Sequence, residues 1–509
     1  MHLTIVERFR RVIELDVRSL ALLRIALGAL LLADLAIRVA DFSAMYAPEG
    51  FAPVGLVRGL EPHPWWSLYL ASGDAAFQAG LFLIAAVLAG MLMIGWRTRL
   101  ATVGCWLLLA SLHGRLPVVN NAGDTLLRML LFWGMFLPLG RAWSVDWRAK
   151  AIKTPMDVPH ASASSATFAY ILQLAIVYWA AGWAKWNDAW LAGDGVHDAM
   201  SFGLYSLPLG QWLAEQRALT RALSVGTVWL ELVAPCLLFA PLGTTPLRLV
   251  LIATFIAFHI GIAATVTVGL FSYVAVAAWL ALLPGAFWDR LGVGVAVGVA
   301  PKPSAGSRDV LSLYRDASGR PFVWRRSAAA LLVWTSLAAV ATWNLWQAAA
   351  DSLPDRLRSW TRSYVNTVML RQAWSLFGQP PRERIWFVYE ARLNDGRRLD
   401  LLSRRPGVDQ PCPELPALDF ANHRWRKLHW RLRFDAGRPY RQPLAEYMAR
   451  QWNAAHGPNE QIAELKLYCC REPLAGAAVG AQSRELLAQV AAPGTGGNFA
   501  NAVLSPGEF

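Results

Sequence analysis

Long apolar runs separated by short polar, basic or glycine-containing breaks dominate the first 350 residues. They fall near Ser19–Ala40, Ala75–Trp96, Leu100–Leu112, Thr125–Leu139, Ala166–Trp186, Ala222–Pro241, Leu247–Val268, Leu270–Leu283 and Ala328–Ala349. A helix standing upright in a bilayer needs about 20 mostly apolar residues. Several runs are shorter than that, so tilted, re-entrant or bundle-buried helices are expected among them. The pattern predicts a mainly α fold, a polytopic transmembrane bundle of about eight or nine spans.

After Asp351 the period changes. Ile385–Leu393 and Arg398–Leu402 flank Asn394-Asp395-Gly396 and predict two strands around a tight turn. Leu428–Phe434 alternates apolar and basic residues, which predicts a half-buried strand. Leu444–Trp452 predicts a short helix and Ile462–Tyr468 another strand. The expected organisation is a membrane domain over 1–350, a small sheet-containing α+β domain over 351–490, and a Gly-, Asn- and Ser-rich tail over 491–509 without fixed structure.

Composition agrees with a membrane protein, since 55% of the 509 residues are hydrophobic and only 16% are charged. The net charge of +13 is spread over loops and the C-terminal third, not gathered in one stripe. It points to topology and anionic lipid, and away from nucleic acid. Basic residues cluster in alternate loops: Arg8 to Arg18, Arg97 and Arg99, Arg141 to Lys153, Arg248, and Arg290 to Arg326. By the positive-inside rule these are cytoplasmic, which puts the N-terminus inside and both Lys185 and the C-terminal domain outside the cytoplasm. The five cysteines include no CxxC spacing, so no metal site is predicted. Cys412 is a candidate to pair with Cys469 or Cys470 in an oxidising compartment.

Lys185 ends a long apolar run inside Trp183-Ala184-Lys185-Trp186. One reading is a snorkelling anchor among interfacial indoles. The other is a desolvated amine that loses its proton and serves as a base. Glu231 and His259 stand mid-span, and intramembrane ionisable groups tend to face bundle interiors. Asn120 and Asn121 are candidate ligand contacts, because loop amides at a membrane face can donate hydrogen bonds to an oxyanion. Asp34 and Arg38, and likewise Asp124 and Arg128, are spaced to pair on one helix face as structural ion pairs. HExxH, Walker, GxSxG and dinucleotide motifs are all missing from the sequence, which moves zinc proteases, nucleotide-driven pumps and common hydrolases to the rear.

Taken in order, Gly95-Trp-Arg97-Thr-Arg99, Asn120-Asn121, Trp143-Ser144-Val-Asp146, Tyr178 to Trp190, Leu230 to Phe239, and Phe258-His259 followed by Gly269-Leu-Phe-Ser-Tyr273 resemble the vitamin K-dependent gamma-carboxylase family and its bacterial HTTM relatives. The resemblance covers most of the membrane domain. It implies a lyase that uses vitamin K hydroquinone, or a related reduced quinone, to carboxylate glutamate in a secreted protein or peptide. Ala181-Gly182-Trp183-Ala184-Lys185 resembles the segment carrying that family's lysine base, and His259 resembles its histidine before Gly-x-Phe-Ser-Tyr. Ala122 stands where the family has a histidine after Asn-Asn, and Ala184 replaces the first of two lysines. The alternative expectation is a non-catalytic binding or export-associated membrane component that recruits a secreted partner.

Overall fold

The computed structural model describes residues 5–60, 66–151, 160–295, 328–348, 354–403, 412–474 and 482–491. All nine apolar runs are helices: α1 Val17–Ala40, α2 Ala75–Ile94, α3 Thr98–Arg115, α4 Ala122–Gly134, α5 Ser165–Ala184, α6 Arg217–Val233, α7 Thr244–Thr265, α8 Phe271–Leu280 and α9 Ala328–Ala348. Six of them are long and apolar enough to cross a membrane, namely α1, α2, α5, α6 with its continuation to Phe239, α7 and α9. Pro235, which has no backbone N–H, lies where α6 tightens into the 3₁₀ turn Ala234–Phe239. Lys153 and the basic stretch 296–326 lie outside the described residues.

Local chemistry sets the helix ends. The Asp74 side chain caps α2, and Gly95 ends it in the left-handed region at φ 74°. A Cβ on Gly95 would collide with Ser144 and the Arg24 guanidinium. The start of α3 is capped from a distance, because the Asp146 carboxylate accepts the backbone N–H groups of Arg97 and Thr98 at 2.8 Å each. The Gly95–Arg99 and Trp143–Asp146 motifs are thus one structural unit. Arg24, inside α1, is answered by carbonyl oxygens of Leu92, Met93 and Trp143 at 2.5–2.8 Å.

Leu15-Asp16, just before α1, pairs antiparallel with Ala161-Ser162, just before α5. Both helices therefore set out from one side of the bundle. Their C-terminal ends, with Asp34 and Arg38 on α1 and Lys185 after α5, share the opposite side.

Beyond the bundle lie α10 Asp355–Thr367, β1 Glu383–Leu393, β2 Arg398–Asp400, α11 His423–Leu432, α12 Arg438–Ala455, β3 Ile462–Pro473 and β4 Ser483–Ala491. The sheet is antiparallel in the order β2-β1-β3-β4, with Phe387 opposite Cys469. Ile385, Phe387, Tyr389 and Ala391 alternate along one face of β1 and share an apolar core with α11, α12, and residues Leu35, Phe51, Phe82 and Leu116 of the bundle. Ala491 closes β4, and the rest of the tail lies outside the described residues. All five cysteines are free, and Cys412 sits beside Cys470, Trp386 and Val388 with no disulfide formed.

Leu428–Phe434 is not a strand. Those residues fall largely in α11, capped by the Asn422 side chain, and the face it buries carries Arg424, Leu428 and Leu432 at helical spacing. Trp430 and Phe434, apolar residues that lie off the buried face, disguised the helical period as an alternation of two. Arg424 is tolerated because its guanidinium meets Asp124 Oδ1 at 2.9 Å and also bonds Asp34. Arg38 Nε reaches Asp34 at 2.8 Å and its Nη2 reaches Asp124 at 3.1 Å. Two buried cations and two buried carboxylates so tie α1, α4 and α11 together. The expected pair of Asp34 with Arg38 is present, and that of Asp124 with Arg128 is not. Arg128 instead donates to the Met369 and Arg371 carbonyls at 2.7 and 3.0 Å.

Removing one member of a buried charge network strands the others. Arg424→Ala should cost about 3–5 kcal/mol of stability, measurable by denaturant unfolding in detergent. A second expectation concerns acid. His429 Nδ1 bonds the Trp425 carbonyl at 2.7 Å and its Nε2 bonds the Tyr389 hydroxyl at 2.7 Å, which satisfies the neutral ring. Burial pushes its pKa down to about 4. The unfolded chain then binds the proton first, so this contribution is complete above about pH 6.5 and is lost as pH falls toward 4. A melting temperature that declines across that window, less steeply in His429→Gln, is the expected result.

Candidate functional site

Lys185 is the residue that ends α5, with its backbone still helical and its N–H donating to the Gly182 carbonyl at 3.1 Å. Its side chain turns inward and is only 6% exposed. Nζ donates to both carboxylate oxygens of Glu231, at 2.9 and 3.2 Å, and to the Ala181 carbonyl at 3.3 Å. Trp190 presents its ring 5.4 Å from the same nitrogen. Glu231 is itself 4% exposed. The amine and carboxylate expected separately from sequence are therefore one ion pair.

Gly182 makes the pair reachable. A Cβ there would lie 2.9 Å from Leu232 Cγ and 3.1 Å from Glu231 Cβ, so α6 approaches α5 this closely only over a glycine. The end of α5 is also covered. Asn187 Nδ2 donates to the Gly378 carbonyl at 2.9 Å and Trp190 Nε1 to the Phe377 carbonyl at 2.9 Å. Gln372 in the same segment accepts from Gln173 at 2.8 Å and from Trp374 at 2.7 Å. Sequence reasoning missed this strap because its polar contacts are long-range and leave no periodic signal.

Two turns back from Lys185, on the same flank of α5, stands Tyr178. Its hydroxyl accepts from Trp279 Nε1 at 2.7 Å and lies 2.8 Å from His259 Nε2. An indole only donates, so the arrangement with fewest unpaired groups has the Tyr178 hydroxyl donating to His259 Nε2. His259 then carries its proton on Nδ1, a buried nitrogen without a hydrogen-bond partner among the described residues. The rings of Phe258 and Phe271 stand 5.4 and 5.5 Å from the imidazole, both edge-on. Ser272 Oγ is another buried polar atom with no partner among the described residues. Neither Tyr178 nor Trp279 was singled out from sequence, although the seven-residue spacing of Tyr178 from Lys185 was available.

Asn120 and Asn121 belong to a different neighbourhood. Asn120 Nδ2 donates to the His113 carbonyl at 2.8 Å, and its Oδ1 is buried without a partner among the described residues. Asn121 caps α4, accepting from Gly123 at 2.8 Å, while Asp124 accepts from its backbone at 2.7 Å. The link to His259 runs through Phe271, whose backbone lies under Gly123 and whose ring faces the imidazole. Asp34, His113 and Asp124 bring metal-ligand atoms within 4.8 Å of one another. Arg38 and Arg424 already occupy those carboxylates, so a divalent cation would meet two fixed positive charges there.

Overpacking at Gly182 tests the geometry of the pair. Gly182→Ala should destabilise by about 1–3 kcal/mol, with α6 pushed away from α5. Crosslinking yield between cysteines placed on these two helices should fall in the same variant.

The family model of the HTTM domain matches residues 13–285, which includes Lys185, Glu231 and His259. No curated protein and no solved structure matches the chain.

Proposed function

Because the chain belongs to the HTTM-domain family of membrane proteins, we propose that it is a gamma-carboxylase-like membrane lyase that carboxylates glutamate in a protein or peptide at the expense of a reduced quinone. The observation that carries this reading is the buried Lys185–Glu231 pair, at 2.9 Å, two turns along α5 from Tyr178, whose hydroxyl meets His259 of α7. Purely anchoring lysines keep their amines in water or headgroups. This one is held among protein groups, where proton exchange is governed by its partner.

The residues present fit a quinone-type ring. An unpaired Nδ1–H on His259 matches a ring carbonyl or hydroxyl oxygen, and Phe258 and Phe271 supply apolar walls. Ser272 Oγ and, beyond Phe271, Asn120 Oδ1 are further polar atoms without partners among the described residues, the latter an acceptor. Asn121 contributes by holding the start of α4, and Asn120 with it, in place. When bound, the reduced quinone would supply the strong base that the γ-carbon of glutamate demands. Lys185 would move the proton at Nζ, His259 would orient the ring, and Tyr178 with Trp279 would hold His259 in the donating tautomer.

The shared side of the bundle that holds Lys185, the α11 clamp and the sheet domain is assigned to the extracytoplasmic face, in keeping with the basic loops opposite. A secreted protein or peptide would reach the site from there.

Purified protein supplied with vitamin K hydroquinone, oxygen and labelled bicarbonate should fix label into a glutamate-containing peptide. Lys185→Ala should lower turnover by about 10²–10⁴-fold, the usual worth of a proton-transfer group. Undiminished turnover removes Lys185 from the reaction. If reduced quinones fail to raise the melting temperature while residues 351–509 in the full chain capture a secreted partner, the protein is a recruiting component and not a lyase.

A further inference from the structure

Resting on the reading just given, we propose that Glu231 is the terminal proton acceptor of the site, and that Lys185 and Glu231 work as a relay. An ammonium has three hydrogens, and Lys185 Nζ has three acceptors, Glu231 Oε1 at 3.2 Å, Glu231 Oε2 at 2.9 Å and the Ala181 carbonyl at 3.3 Å. All three donor positions are used, so the resting nitrogen offers no lone pair to a ligand. The side chains are buried, with Trp190 completing the cation's surroundings. The remaining basic electron pairs of the dyad are on the carboxylate.

The alternative, a free amine beside an ionised Glu231, would leave a buried carboxylate without its cation. Breaking a buried pair in that way is strongly destabilising. The relay avoids it. One N–H bond of Lys185 breaks as an O–H bond forms on Glu231 Oε2, and the nitrogen takes the proton of a ligand hydroxyl, whose oxygen keeps the electron pair. One proton enters, Lys185 ends as an ammonium, and Glu231 ends as a neutral acid. No oxidant or reductant is consumed in this step. The cation stays where it was and now faces the oxygen that gave up the proton, so no uncompensated charge is created inside the bundle.

The position of Glu231 supports a role beyond a counter-ion at a span end. It lies inside the span that α6 and its continuation to Phe239 form, which approaches α5 across Gly182, and it touches Lys185 through both carboxylate oxygens. A lysine and a glutamate can each release a proton, whereas the arginine-rich cluster of Asp34, Arg38, Asp124 and Arg424 cannot cycle in the same way because guanidinium stays charged.

The test uses the full-length protein in nanodiscs with vitamin K hydroquinone as probe, and compares wild type, Glu231→Gln, Glu231→Asp and Lys185→Ala. Infrared difference spectra of protein labelled with ¹³C-glutamate should show a protonated-carboxyl band on adding the hydroquinone, present in wild type and missing from Glu231→Gln. Glu231→Gln should bind the hydroquinone with an unchanged melting-temperature shift but consume it about 10²-fold more slowly at neutral pH. Its pH profile should also differ from that of the wild type, since the amine has lost the carboxylate that takes its proton. Glu231→Asp should recover part of the rate. Wild-type rate and pH profile in Glu231→Gln, with Lys185→Ala inactive, overturn the relay alone. No thermal shift and no spectral change in wild type overturn the quinone reading, and the relay with it.

Discussion

Buried charge in an apolar bundle has to be answered at short range, and in this protein that requirement decides where the C-terminal third sits. Asp34, Arg38 and Asp124 alone would leave a net negative charge inside the bundle. Arg424 brings the sum to zero, and it can do so only if α11 lies across the ends of α1 and α4. The sheet then follows α11, because Tyr389 meets His429 and the face of β1 that carries Phe387 packs against the same helix. Apolar burial thickens this contact, while the ion cluster sets its register.

Other buried cations are answered differently. Arg24 rests on backbone carbonyls, which supply fixed partial charge and no exchangeable proton, and Arg128 on two carbonyls and His113 Nδ1. Lys185 stands apart, since its partner is a carboxylate and both members can change protonation. The scaffold uses arginine where charge must stay constant. The candidate site uses lysine, glutamate, histidine and tyrosine, which can move protons.

Buried polar atoms without a hydrogen-bond partner among the described residues occur across the molecule, on Tyr69 and Trp106 for example, and three of them lie on either side of Phe271. These are His259 Nδ1, Ser272 Oγ and Asn120 Oδ1, and Phe271 and Gly123 connect their surroundings. Leaving such atoms unsatisfied costs about 1–3 kcal/mol each, so a site that accepts the cost is one in which a ligand can recover it.

All nine helical runs were readable in the sequence because a bilayer asks only for local apolar length, and Lys185, Glu231 and His259 stood out because ionisable groups are expensive there. The antiparallel strands around Asp395-Gly396 were equally plain, their period and turn being local. Three dimensions decided what local pattern could not: that Lys185 meets Glu231 over Gly182, that Tyr178 and Trp279 set the proton on His259, and that Leu428–Phe434 belongs to a helix. In each case the partner lies tens to hundreds of residues away. A sequence window registers the presence of a charge or a hydroxyl, whereas the energy that fixes its role depends on which distant group stands within three ångströms of it.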